Sequence, residues 1–84
     1  LMKIYQYQDK TNMCGENVKK YRREQDVSQT ELAARLQTYD VILEQKSISR
    51  IEAGTRVVAD YELFALSKAL NVTIYNLLGL PNPK

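Results

Sequence analysis

The residues of this chain best suited to do chemistry lie in one short stretch, QKSISRIEAGTR, at positions 45–56. Ile48 and Ile51 are three apart, so on a helix they share one narrow apolar stripe. Lys46, Ser49, Arg50 and Ala53 then fall on or beside the opposite arc, and Gln45 projects from the first turn. The polar ones among them carry hydrogen-bond donors of the kind that read base edges. Lys46 and Arg50 suit guanine O6 and N7, and the Gln45 amide suits adenine N6 and N7. A solvated helix face would have much the same composition. Spacing alone therefore leaves two readings open, a face that recognises and a face that merely dissolves.

Other chemistry is largely excluded. The 84 residues contain no histidine, no tryptophan and one cysteine, Cys14. A histidine triad and a His/Cys zinc site are ruled out by composition. Neither GxGxxG nor GxxxxGK[ST] occurs, so no phosphate loop is expected. Asp40, Glu44 and Glu52 could pair as acid and base only in the weak sense that any carboxylates could. No enzyme activity, catalytic residue, metal or cofactor is expected. One cysteine forms no intrachain disulfide and fits a reducing compartment. No apolar run approaches the ~18–20 residues of a membrane span, and LMKIYQYQDK has no signal-peptide apolar region. The expected location is cytoplasmic, with no membrane partner.

Net charge is +2, too mild to announce nucleic acid by itself. Lys19, Lys20, Arg22 and Arg23 cluster near one end, while Lys46, Arg50 and Arg56 fall in the quoted stretch.

The elements that must position these residues are helices. MCGENVKKYRREQ (13–25) puts Cys14, Val18 and Tyr21 on one face, with Asn12 as its cap. Ser28-Gln29-Thr30-Glu31 is a capping box, followed by inward Leu32, Ala33 and Leu36. QTYDVILE (37–44) breaks the period and reads as a loop with some apolar side chains tucked in. A third helix spans about 45–53 and ends at Gly54. A fourth spans about 60–70, carrying Leu63, Leu66 and Leu70, and stops at Asn71. Thr73 caps a short fifth helix ended by Gly79. The predicted fold is all-α, a compact bundle of five short helices over 13–80. Residues 1–12 would form a flexible arm and 81–84 a tail.

Capped helix, turn, polar-faced helix and glycine follow helix-turn-helix logic. SQTELAARL (28–36), SISRIEAGTR (47–56) and DYELFALSKALNVTIYNLLG (60–79), in that order, resemble the Cro/repressor-type (Xre-like) helix-turn-helix family. The resemblance implies a domain of the phage-repressor type and a transcriptional regulator, a repressor, that binds a double-stranded DNA operator as a homodimer. It implies that the helix at 45–53 enters the major groove. Gln45, Lys46 and Arg50 match its base-facing positions. Gln29 matches a phosphate-contacting glutamine, and Ser49, Thr55 and Arg56 are further phosphate candidates. Arg22 and Glu52 match a salt bridge between the first and third helices. The alternatives are a protein-interaction module and an antitoxin-like autorepressor on the same fold, either of which would bring in a protein partner.

The chain departs from that pattern twice. Leu36 and Ile48 are twelve positions apart, which makes the turn long, like that of a subset of the family. It also sets Tyr39 or Asp40 near the DNA side or a partner, with Asp40 a candidate for a left-handed turn position. Glu44 stands where relatives usually carry Ser or Thr as the cap of the recognition helix. The dimer surface is not assigned by sequence; Ile4, Tyr5, Tyr7, Tyr75, Leu78 and Leu80 are its candidates.

Overall fold

The computed structural model of the protein describes residues 6–84; Ile4 and Tyr5 lie outside the described residues. Five helices follow in order: α1 (Gly15–Glu24), α2 (Gln29–Gln37), α3 (Gln45–Ala53), α4 (Asp60–Ala69) and α5 (Ile74–Leu78). The all-α expectation holds, and the helix bounds fall within a residue or two of those read from periodicity. One difference is Gln37, which closes α2 instead of opening the loop.

Each helix after the first starts on the same local device. VSQTEL, LEQKSI, VADYEL and VTIYNL carry an apolar residue before the cap and another at the fourth helical position. The pairs are Val27 and Leu32, Leu43 and Ile48, Val58 and Leu63, and Val72 and Leu77, all in or against one core. Such hydrophobic staples fix the angle at which the chain enters a helix. Side-chain caps reinforce three of the four starts. Ser28 and Glu31 form the full box at α2. Thr73 and Asn76 do so at α5. Glu62 supplies half of one at α4 by accepting from the Ala59 amide at 3.0 Å.

Helix ends are satisfied from farther away. The last carbonyls of a helix have no partner within it. Asn17 donates to Leu77 O of α5 at 3.0 Å, and Gln25 and Arg35 donate to Leu70 O and Ala69 O at the end of α4. Among the described residues no buried side-chain nitrogen or oxygen lacks a partner.

α1 packs on α3 and α5, and α2 packs on α3 and α4. Val18, Leu32, Leu36, Ile48, Ile51, Leu66, Leu70 and Leu77 are fully buried between them. The long turn is an extended run that alternates: Val41 and Leu43 point inward, while Ile42 between them is 74% exposed. Alternation is what an extended backbone imposes. Asp40 precedes it at φ 61°, in the left-handed region expected for it.

The described N-terminal segment is docked. Residues Tyr7 and Lys10 exchange backbone hydrogen bonds around Gln8 and Asp9, both at positive φ. The Thr11 amide donates to Gly54 O at 2.8 Å. Asn12 does not occupy the cap position itself, which is Cys14; its Oδ1 nonetheless accepts from the Gly15 amide at 2.8 Å.

Gly15 sets how closely α1 meets α3, because a Cβ at this position would collide with the carbonyl oxygen of Ile51. Gly15→Ala should therefore destabilise the fold by about 1–3 kcal/mol despite alanine's better helix propensity. Urea unfolding of the two proteins, read as a drop in midpoint at constant slope, checks this.

Candidate nucleic-acid interface

The inward side of α3 is closed by Ile48, Ile51 and Glu52, all buried. Its outward side carries Gln45, Lys46, Ser49, Arg50 and Ala53, all exposed. Ile48 and Ile51 thus anchor as the spacing required. Among the described residues neither Lys46 nor Arg50 has an ion-pair partner, and the ion pairs present lie elsewhere. Two cationic donors therefore face solvent from a helix whose other side is locked.

Glu52 supplies the lock. Arg22 grips it with a two-pronged contact, Nε to Oε2 at 2.7 Å and Nη2 to Oε1 at 3.0 Å. The remaining Arg22 nitrogen donates to Val27 O at 2.8 Å, in the turn between α1 and α2. Hydrogen bonding to Glu52 pushes the Arg22 pKa above its ordinary value, so the guanidinium stays charged. The expected ion pair is formed, and it is buried on both sides.

Gln29 extends this lock to the surface. Its Nε2 donates to Glu52 Oε1 at 3.0 Å, and its Oε1 accepts from Gln45 Nε2. A carboxylate only accepts, so the Gln29 amide must turn its nitrogen inward and its oxygen outward. Gln45 must then answer with an N–H. That leaves Gln45 with one N–H and its Oε1 free, the pair needed to bind an adenine edge. Gln29 keeps one N–H as well. Sequence reasoning treated Gln29 and Gln45 as separate contacts; the structure joins them.

The start of α3 differs from the other capped starts. Ser28 and Glu31 occupy the cap and third positions of α2; in α3 the types are reversed, Glu44 and Ser47. Glu44 makes no side-chain cap. The first-turn amides of α3 consequently have no side-chain acceptor among the described residues and lie open to an anion. The exposed Glu44 carboxylate stands beside them.

Past α3, Gly54 takes φ 79° and Thr55 Oγ1 donates back to Arg50 O at 3.2 Å. Arg56 is the residue whose surroundings depart most from expectation. Its guanidinium is paired to Glu62 by two bonds of 2.8 and 3.0 Å and also donates to Val57 O. The Arg56 guanidinium, helped by the Ala59 amide, holds the Glu62 carboxyl below its ordinary range. Arg56 thus retains spare N–H donors but not an uncompensated charge. Ser49 is exposed and without a partner among the described residues.

The basic cluster on α1 divides. Arg22 is buried, whereas Lys19, Lys20 and Arg23 are exposed, with Lys20 Nζ 5.1 Å from the Tyr21 ring centre. Burial pushes the Cys14 thiol up to about 11, which makes it a poor nucleophile. Of the residues offered for a dimer surface, Tyr7, Leu78 and Leu80 line one open cleft, and Tyr75 is exposed. Sequence reasoning offered Asn12 as a helix cap but missed its two long-range bonds, and it missed Glu62 as the partner of Arg56. A glutamate three residues after Ala59 carried a signal for Glu62; nothing local signalled the long-range bonds of Asn12.

A family profile described as helix-turn-helix matches residues 18–77. No curated protein and no solved structure matches the chain.

Replacing Arg22 with methionine should be among the most damaging single changes, because it leaves the buried Glu52 with only Gln29. A loss of about 3–5 kcal/mol is expected. Adding Glu52→Leu should recover part of it, and chemical denaturation of the single and double variants measures both.

Proposed function

The chain belongs to the Cro/repressor-type helix-turn-helix family, and from that premise we propose that it is a sequence-specific transcriptional repressor that binds operator DNA as a homodimer. The observation that carries this reading is the asymmetry of α3. Its inner side is held by Ile48, Ile51 and Glu52, and its outer side offers Gln45, Lys46 and Arg50 with unspent donors. Arg50 and Lys46 would pair with guanine O6 and N7, and Gln45 with adenine. The spare N–H of Gln29, the hydroxyls of Ser49 and Thr55 and the remaining donors of Arg56 would take phosphates. Such contacts orient the protein without carrying sequence information.

The small size of the readout supports a dimer. One short helix reads few base pairs, and two copies on half-sites one turn apart, ~34 Å, double the information. The polar outer face of α3 favours this reading over a protein-interaction module, which would expose apolar groups there. With a net charge of only +2, non-specific attraction to DNA is weak. Base contacts and not bulk charge must then supply most of the discrimination.

Selection of bound sequences from random duplex DNA tests the proposal. A two-fold-related motif should be enriched, and log K should fall by about 0.9 per log unit of salt for each phosphate neutralised. Arg50→Ala should relax the preference at one base pair per half-site, at about 1–3 kcal/mol. No enriched motif together with a flat salt response would overturn the reading.

Glu44 supplies a sharper prediction. Glu44→Ser removes a carboxylate that faces the phosphates and installs a side-chain cap on α3. Affinity for random duplex at low salt should rise by about fivefold. Equal or weaker binding of the variant at matched ionic strength would sink the idea.

A further inference from the structure

We propose that Asn12 is a positioning residue for DNA recognition, its side-chain amide pinning the end of α3 and the loop after it to the start of α1. The inference rests on the DNA-binding reading above. It starts from a mechanical need. Ile48, Ile51 and the Arg22–Glu52 pair hold the inner side of α3 through its last turn, and the Gln29–Gln45 contact holds its first. None of these bonds fixes the backbone beyond Gly54, so the run through Thr55 and Arg56 needs a hold of its own.

Asn12 spends its whole side chain at that point. Nδ2 donates one hydrogen to Ile51 O at 3.1 Å and the other to Arg56 O at 2.8 Å. Oδ1 accepts from the Gly15 amide at 2.8 Å. Just before it, the Thr11 amide takes Gly54 O at 2.8 Å. Three carbonyls around the end of α3 thus converge on residues 11 and 12. Gly15 closes the joint, since any Cβ there would strike Ile51 O.

No other side chain meets these demands together. Aspartate keeps the acceptor for Gly15 but turns a carboxylate toward two carbonyls. Serine accepts from the amide three residues on, as in local ST turns, but is too short to span both carbonyls. These two variants separate the two halves of the Asn12 side chain. Recognition needs its groups held to about 0.5 Å, so a looser α3 end should reduce specific binding first.

The experiment compares the unaltered protein with Asn12→Asp and Asn12→Ser. The probes are the best duplex from random selection and a scrambled duplex, across a salt series. Active fractions are counted by stoichiometric titration, so that partial unfolding does not enter. Both variants should lose about tenfold in the ratio of specific to scrambled affinity. Their salt slope on the selected duplex should be shallower by about 0.9, one phosphate contact. A lower melting midpoint with unchanged ratio and slope would make Asn12 a purely structural residue and overturn the proposal. Should neither variant fold, the unaltered protein still decides. Exchange of the Asn12 side-chain amide protons should slow on the selected duplex and not on the scrambled one, and equal exchange overturns the proposal. Failure of the unaltered protein to enrich any sequence would overturn the DNA reading and this inference together. An enriched sequence with indifferent variants would overturn this inference alone.

Discussion

A buried carboxylate dictates the arrangement of the first three helices. Glu52 sits on the inner side of α3, where an unpaired charge would cost several kcal/mol. The fold answers with a guanidinium from α1 and an amide from α2, and the same guanidinium reaches the carbonyl of Val27 between them. Each bond is directional, so three helices share one solution for their relative angles. A core of Leu and Ile alone tolerates sliding, because apolar contacts have no preferred direction. The ion pair does not make this domain stable in any large sense. It makes one packing of α1, α2 and α3 preferable to its near neighbours.

Legibility in the sequence tracked the distance over which each interaction acts. The capping box at Ser28–Glu31, the stop at Gly54 and the stripes of Leu32 and Leu36 or Leu66 and Leu70 depend on residues within a turn or two, and periodicity finds them. The Arg22–Glu52 pair spans 30 positions. Only a resemblance to relatives suggested it. Asn12 was legible only as a local cap. Its two acceptors are 39 and 44 positions away, and both are backbone carbonyls that any residue type would have supplied. Arg56 looked free because its partner, Glu62, becomes a neighbour only once the loop after Gly54 has turned. The coupling of Gln29 to Gln45 was hidden for the same reason, though both residues were singled out individually.

The helix starts show how local stability is distributed. α2 and α5 are closed by complete side-chain boxes, and α4 by half of one. α3 has the apolar staple without the polar cap, with Glu44 and Ser47 in the reverse order. Its first turn is held from the core by Leu43 and Ile48 and from the surface by the Gln29–Gln45 contact. The helix keeps a defined entry angle while its amides remain unoccupied. A conventional cap would give a firmer helix with a filled first turn.

The contact between Gln29 and Gln45 also bears on how this domain can diverge. Among the described residues the side chains of Lys46 and Arg50 make no hydrogen bond or ion pair, so exchanging them should alter stability by no more than about 0.5 kcal/mol. Gln45 is different. Any replacement that cannot donate leaves the Gln29 oxygen without its partner, and Gln29 is in turn bonded to Glu52. Positions 46 and 50 can therefore change one mutation at a time with little effect on the fold. Position 45 is coupled to 29, so any preference carried there would be inherited more conservatively than one carried at 46 or 50.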